Sequence, residues 1–231
     1  MHPTVDLIVP VLDEAECIAE VVRGFRPGVR RVVVVDNDST DGSAGIAAAA
    51  GAEVVSEPAR GYGAACLAGI AYLGRDPPGV VAFADGDGSQ DPADLASIVD
   101  PILEGRADFV VGSRTRGARD PGSVLGHAAA GNRLACAAMR LRFGVRYTDL
   151  GPMRAVRWSA LETLGMSDRG YGWTVEMQVR AARAGLRIVE VPVRAHPRLG
   201  GRSKVSGTVR GTLAASAKIL WVLARHLAQP G

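Results

Sequence analysis

Through the first half of the chain, short runs of β-branched and aliphatic residues alternate with longer stretches of helical spacing. The runs at 5–11, 31–35, 52–56, 80–84 and 108–113 are almost continuously apolar, which is how strands buried on both faces of a parallel sheet read. Between them, 14–25, 41–51, 62–74 and 92–105 carry apolar residues three and four apart and end at or near glycine, as helices closing on a left-handed residue do. This alternation predicts an α/β fold: an open, mostly parallel twisted sheet with right-handed crossovers and helices on both faces. The second half is less regular. Helices are predicted over 126–142, 159–164 and 174–184, followed by a strand over 186–193. A last helix is predicted over 212–227, with Leu213, Ala217, Leu220, Leu223 and Leu227 on one side and Lys218 and Arg225 opposite. Such a face packs on its own domain or lies on a membrane surface.

In open α/β sheets ligands sit beyond the carboxyl ends of the strands, so the residues following each run carry information. They are "DEAE" at 13–16, "DNDSTDGS" at 36–43, "EPARGYG" at 57–63 and "DGDGSQDP" at 85–92. Acidic and glycine-rich loops therefore gather at one rim. Asp85 and Asp87 are one residue apart, and two like charges that close are costly away from water unless they stay hydrated or share a cation. A solvated turn, a phosphatase nucleophile loop and a divalent-metal site are the three readings.

Composition changes this picture little. The 231 residues are 47% hydrophobic and 22% charged, enough for one large domain or a domain with a C-terminal extension. The net charge is +3, and Lys204 and Lys218 are the only lysines; arginine is the better bidentate partner for phosphate, but a general bias toward it names no ligand. Cys17, Cys66 and Cys136 lie far apart with no accompanying histidine spacing, which indicates neither zinc nor a disulfide framework and fits a reducing cytoplasm. No basic start precedes the first apolar run, and no window of 18 uncharged apolar residues occurs, so neither a secretory signal nor a membrane span is expected.

The competing motifs fail on particular residues. "DGDGS" matches a haloacid-dehalogenase nucleophile loop, but no Asp or Glu follows Lys204 to hold its magnesium, so the rest of that constellation is missing. "GYGAAC" at 61–66 offers Gly61 and Gly63 but has Cys66 where a dinucleotide fingerprint needs a small residue. His2, His127, His196 and His226 are scattered and no G-x-S-x-G occurs, so no hydrolase triad is supported. The metal reading does better, because a nucleoside diphosphate uses carboxylates for its base and ribose and a hard cation for its diphosphate. Asp36 lies where the second strand would reach base or ribose, and Asp85 and Asp87 where the fourth would reach the cation.

The whole sequence from Val5 to about Gly211 resembles the inverting family 2 glycosyltransferases of the GT-A fold, most closely the polyprenyl- or dolichyl-phosphate hexose synthase branch. "VPVLDEAECI" is similar to that family's P-x-x-N-E segment, "VVDNDSTDGS" to its V-D-D-G-S-x-D-G-T, and "DGDGSQDP" to its D-x-D loop. "VVGSR", "TDLGPMRAV" and "EVPVRAHPRLGGRSK" resemble its G-S-R, D-x-x-G-x-R-A and E-V-P…R-x-x-G-x-S-K segments, in the same order. The resemblance implies a catalytic domain over 1–211, with 1–113 binding the nucleotide sugar and 114–211 the acceptor, followed by the helix at 212–231. It assigns Pro10, Asp13, Glu14 and Asp36 to base and ribose, Gly61 and Gly86 to close approach of the donor, and Asp85 and Asp87 to Mg2+ or Mn2+ and the diphosphate. Arg198, Ser203 and Lys204 would close over the donor phosphates, Arg114 and Arg133 would face an acceptor phosphate, and Asp149 and Glu176 would line the reacting centre. Asp13, Asn37, Asp38, Tyr62 and Ser89 depart from the family pattern, which leaves donor base and sugar open.

The implied reaction is transfer of a hexosyl group, with inversion, from a nucleoside-diphosphate sugar to an acceptor, a polyprenyl phosphate in the closest branch. A soluble hydroxyl acceptor and a non-catalytic nucleotide-sugar-binding module are the alternatives. No nucleic-acid partner is indicated, and contact with the cytoplasmic face of a membrane is left to the last helix. A phosphate acceptor needs no strong base; a hydroxyl acceptor would need Asp149 or Glu176 to take its proton. Outside the site, Asp38 and Asp41 are expected as turn and cap residues, Asp91 as a helix N-cap, Glu190 as a strand-end charge, and Arg119, Arg140 and Arg142 as solvated surface.

Overall fold

The computed structural model describes residues 4–118, 120, 126–201 and 221–225. The valine-rich runs form strands β1 (Val5–Val11), β2 (Arg31–Asp36), β3 (Glu53–Ser56), β4 (Val80–Phe83) and β5 (Phe109–Ser113). Helices α1 (Ile18–Phe25), α2 (Ser43–Ala49), α3 (Tyr62–Leu73) and α4 (Leu95–Leu103) connect them. The second half contributes α5 (Gly126–Phe143), β6 (Arg154–Arg157), α6 (Trp158–Leu164), α7 (Trp173–Arg183) and β7 (Ile188–Pro192). Of the helix predicted over 212–227, only 221–225 falls within the described residues, and those five are helical.

The strands form one sheet in the order β3-β2-β1-β4-β6-β5-β7. All neighbours run parallel except at β6, which is antiparallel to both β4 and β5. Strand alternation gives each face its own core. Ile8, Val33, Val81, Phe83 and Phe109 pack with α3, α5, α6 and α7, while Leu7, Val9, Val32, Val34 and Val110 pack with α1 and α4. Cys66 and Cys136 are buried in the first of these layers and Cys17 is buried just before α1, all three as free thiols.

Two features were not expected. The chain between β1 and α1 does not continue the helix back to residue 14, because Asp13 takes a left-handed backbone (φ 51°) and 13–16 form a loop instead. Strand β6 was not predicted at all. It is four residues long and carries Arg154 with no exposed surface, where a polar residue argues against a central strand. Its Nη1 donates to the carbonyl of Thr174 and its Nη2 to those of Leu150 and Gly151, while the buried Nε has no partner among the described residues, so a buried arginine ties the sheet to α7 through carbonyls and not through a carboxylate.

Candidate active site

Six of the seven strands point one way, so their carboxyl ends lie along one edge, and the antiparallel β6 brings the residues that precede it to that same edge. Asp13 and Glu14 follow β1, Asp36 ends β2, Asp85 and Asp87 follow β4, and Arg114 follows β5. Asp149 leads into β6, and Arg198 follows β7. The pairing of β1 with β4 stops at Ile8 and Phe83, two residues before Pro10. Regular ladder pairing ends there, just before the two aspartates.

The β4 loop is tightly held. Asp87 Oδ1 accepts from Ser89 N–H (3.0 Å), and Asp87 Oδ2 accepts from Arg198 Nη1 (2.8 Å). Arg198 Nη2 also donates to both oxygens of Glu14, so the segment after β7 is pinned to both acidic loops. Main-chain bonds from Leu199 N–H to Asp87 O and from His196 N–H to Ser89 O complete this cover. Asp85 accepts from Tyr62 Oη (3.2 Å). Burial, and then the charge of Asp87, push its carboxyl up to about 7, against the pull of Tyr62, Arg114 and Arg154. Gln90 Oε1 accepts from Asp85 N–H at 3.4 Å, while the buried Gln90 Nε2 finds no partner among the described residues.

On the β2 side, Asp36 is buried and its Oδ1 has no hydrogen-bond partner among the described residues. Such an orphan is costly unless a ligand supplies the donor. Asn37 is spoken for: its Nδ2 donates to the carbonyls of Glu57 and Ala59, and its Oδ1 accepts from Gly61 N–H. Asp13 Oδ1 accepts from Thr40 N–H, which locks the β1 and β2 loops together. The glycines expected to admit the donor have neighbours inside the protein. A Cβ on Gly61, whose φ is +148°, would lie 2.1 Å from the carbonyl oxygen of Arg169, and one on Gly86 would lie 2.8 Å from Val11 Cγ2.

Arg114 and Asp149 form a forked ion pair. Asp149 is 1% exposed; its Oδ2 accepts from the backbone N–H and Nε of Arg114 (2.8 Å each) and its Oδ1 from Nη2 (2.9 Å). Burial opposes the charge of Arg114, but this fork and the nearby Asp85 and Asp87 hold its pKa above the ordinary arginine value. One guanidinium is therefore fixed within electrostatic reach of the paired aspartates. Glu190 corrects the expectation of a mere strand-end charge: its carboxylate accepts from Thr148 N–H and Oγ1 and from Asp149 N–H.

Other expected residues stand apart. Glu176 is buried, and its carboxylate accepts from Ser167 N–H and Oγ, Asp168 N–H and Arg180. Burial works against its charge, yet these donors bring its pKa below the usual glutamate value. Arg133 is exposed on α5. Ser203 and Lys204 lie outside the described residues. Asp91 caps the short 3-10 helix at Pro92–Asp94 by accepting from Ala93 N–H, and Asp41 accepts from Ser43 N–H and Ala15 N–H, as a turn residue should. Tyr62, Gln90 and Arg154 were not assigned to the site from sequence. Their signal, an aromatic hydroxyl, an amide and a cation within reach of Asp85, exists only in three dimensions.

A divalent cation fits this donor set in one way. Among the described residues no group of three or more His, Cys, Asp or Glu is suited to a metal, so Asp85 and Asp87 would supply two carboxylate ligands at most. That is the way Mg2+ and similar hard ions are commonly held, by one or two carboxylates with substrate phosphates and water completing the shell.

The family model described as glycosyl transferase family 2 matches residues 6–165. The chain belongs to that family and is a glycosyltransferase. An uncharacterized glycosyltransferase of Mycobacterium tuberculosis is 42% identical over 213 residues, 91% of this chain and 94% of the relative. The undecaprenyl-phosphate mannosyltransferase of Micrococcus luteus is 31% identical, covering 88% of each chain. Among solved structures, glucosyl-3-phosphoglycerate synthase of M. tuberculosis in complex with Mn2+, UDP-glucose and phosphoglyceric acid matches with a TM-score of 0.80, at 24% identity, over 99% of this chain and 81% of that one. The fold is thus the GT-A arrangement. Among the described residues no helix is long and apolar enough to cross a membrane.

Proposed function

We propose that the enzyme transfers a hexosyl group from a nucleoside-diphosphate sugar to a phosphate oxygen of a polyprenyl phosphate, with inversion and with Mg2+ or Mn2+ as cofactor. The observation that carries the acceptor class is the state of the carboxylates. Asp149 is forked to Arg114, and Glu176 and Glu190 are filled with main-chain and hydroxyl donors. None is poised to take a proton, whereas a phosphate monoester acceptor arrives already ionised and needs none taken. The likeness to an undecaprenyl-phosphate mannosyltransferase supports the same reading.

Each residue then has one task. Asp36, through its orphan Oδ1, accepts from a ribose or base group, and Asp13 and Glu14 frame the base pocket. Asp85 and Asp87 would hold the cation, whose chemistry is to neutralise charge developing on the departing diphosphate. Arg114, oriented by Asp149, binds and aligns the acceptor phosphate for in-line attack. Arg198 exchanges its bond to Asp87 for a donor phosphate oxygen and, with Ser203 and Lys204, covers the donor.

Glu176→Gln tests the division between structure and chemistry. Turnover with a phosphate acceptor should stay within a few-fold of wild type; loss by several orders of magnitude would favour a hydroxyl acceptor deprotonated by Glu176. Stability should fall by about 2 kcal/mol at neutral pH, the cost of breaking a buried charged hydrogen-bond set. Because the native pKa of Glu176 is lowered, this contribution is present above the unfolded glutamate pKa and is lost as pH falls through the native value. Urea titrations of the two proteins should therefore converge on acidification.

A further inference from the structure

Helix α5 buries Ala135, Cys136 and Met139 in the core shared with α7. At about 100° per residue, Leu134 and Leu141 fall on the opposite side, and they are 57% and 91% exposed. Arg133 and Arg140 flank this leucine stripe on one edge and Arg142 on the other, all exposed, with Arg146 exposed just beyond the helix. None of the four has a carboxylate partner among the described residues, and no Asp or Glu occurs anywhere from 121 to 148. Trp221, 52% exposed under Arg225 (5.5 Å from ring centroid to Cζ), belongs to a helical segment whose Val222 and Leu223 enter the same core.

A leucine stripe edged by arginines has the chemistry of a surface that lies in the headgroup region of an anionic bilayer. The leucines enter the acyl boundary and the arginines reach lipid phosphates. A protein partner would need an acidic counterpart and a shaped pocket; a bilayer needs only negative charge and hydrocarbon, which is what this face complements. We infer that the outer face of α5 docks on anionic lipid. The inner side of the same helix is bolted to the site: Asn132 Nδ2 donates to Thr148 O, and Asn132 Oδ1 accepts from Leu150 N–H, on either side of Asp149. Docking would thus bring the Arg114 pair close to the membrane surface.

The test is sedimentation of the full chain with vesicles of phosphatidylcholine alone or of phosphatidylcholine with equimolar phosphatidylglycerol. Wild type should bind the anionic vesicles and not the neutral ones, more weakly as salt rises. Arg140→Ala/Arg142→Ala should bind on the order of twentyfold more weakly, since each arginine near an anionic surface contributes roughly fivefold. That variant should keep wild-type nucleotide-sugar affinity, which separates failure of docking from failure of the transferase reading. Equal binding by wild type and variant, or none by either, overturns the proposal. So does a concentration-dependent dimer abolished by Leu141→Ser, which assigns the face to a second copy. A lowered Tm of Leu141→Ser without vesicle binding assigns it to the chain itself and overturns the proposal as well.

Discussion

Asp87→Asn should lower kcat/KM for sugar transfer by roughly a thousandfold, and Asp85→Asn by a similar factor, because on the proposed reading each would remove a negative ligand from the cation that would offset charge on the departing diphosphate. In the protein without metal, Asp87 is already bonded to Arg198 and Ser89, and Asp85 to Tyr62. The asparagines are isosteric and can keep part of those contacts, so the loss should be one of chemistry and not of folding. Asp85→Asn without metal should be at least as stable as wild type, since it removes a buried charge beside another of the same sign. Adding Mn2+ with a nucleoside diphosphate should raise the Tm of wild type and leave that of Asp85→Asn nearly unchanged. A variant that kept metal-dependent turnover within tenfold would take the cation away from this pair.

The second large effect is expected at Arg114. Arg114→Ala should cost about a hundredfold to a thousandfold in kcat/KM, carried mainly by the KM of the acceptor, as removal of a bidentate partner for an anion does. Arg114→Lys should recover little, because a point charge replaces a planar fork. Asp149→Asn leaves the arginine in place but releases one of the two side-chain bonds that aim it, so its cost should be smaller, about tenfold. Truncating Arg114 also strands Asp149, which is 1% exposed, without its counter-charge. Arg114→Ala/Asp149→Asn should therefore be more stable than Arg114→Ala alone and no more active. Steady-state rates with varied acceptor, together with urea titrations, separate the two contributions.

Much of this site could be read from the chain because the sheet does the placing. Once the valine-rich runs are strands of one parallel sheet, the loops after β1, β2, β4 and β5 must meet at one edge, and Asp13, Asp36, Asp85 and Arg114 come with them. What the residues did not reveal is which acids accept hydrogen bonds from neighbouring segments of the chain. Glu176 and Glu190 read as site or surface charges, but each is consumed by donors from a neighbouring segment, contacts set by long-range packing. Strand β6 escaped because its pattern is set by Arg154, whose partners are carbonyls that only the folded α7 and the 150–151 turn bring within reach. The glycines carry the same lesson: Gly61 and Gly86 are needed where β1 and the 169 carbonyl approach, a demand of packing that a donor-binding motif does not distinguish from close approach of a ligand.

Whether the acceptor oxygen belongs to a phosphate decides the account most directly. The measurement is mass-spectrometric detection of glycosylated lipid after incubating the enzyme with Mn2+ and UDP-, GDP- or dTDP-hexose, with a polyprenyl phosphate in one arm and the corresponding polyprenol in the other. A glycosyl phospholipid should form from one of the donors in the phosphate arm and be abolished by EDTA, and nothing should form from the alcohol. Product from the alcohol, or from the phosphate with metal removed, would contradict the proposed reaction.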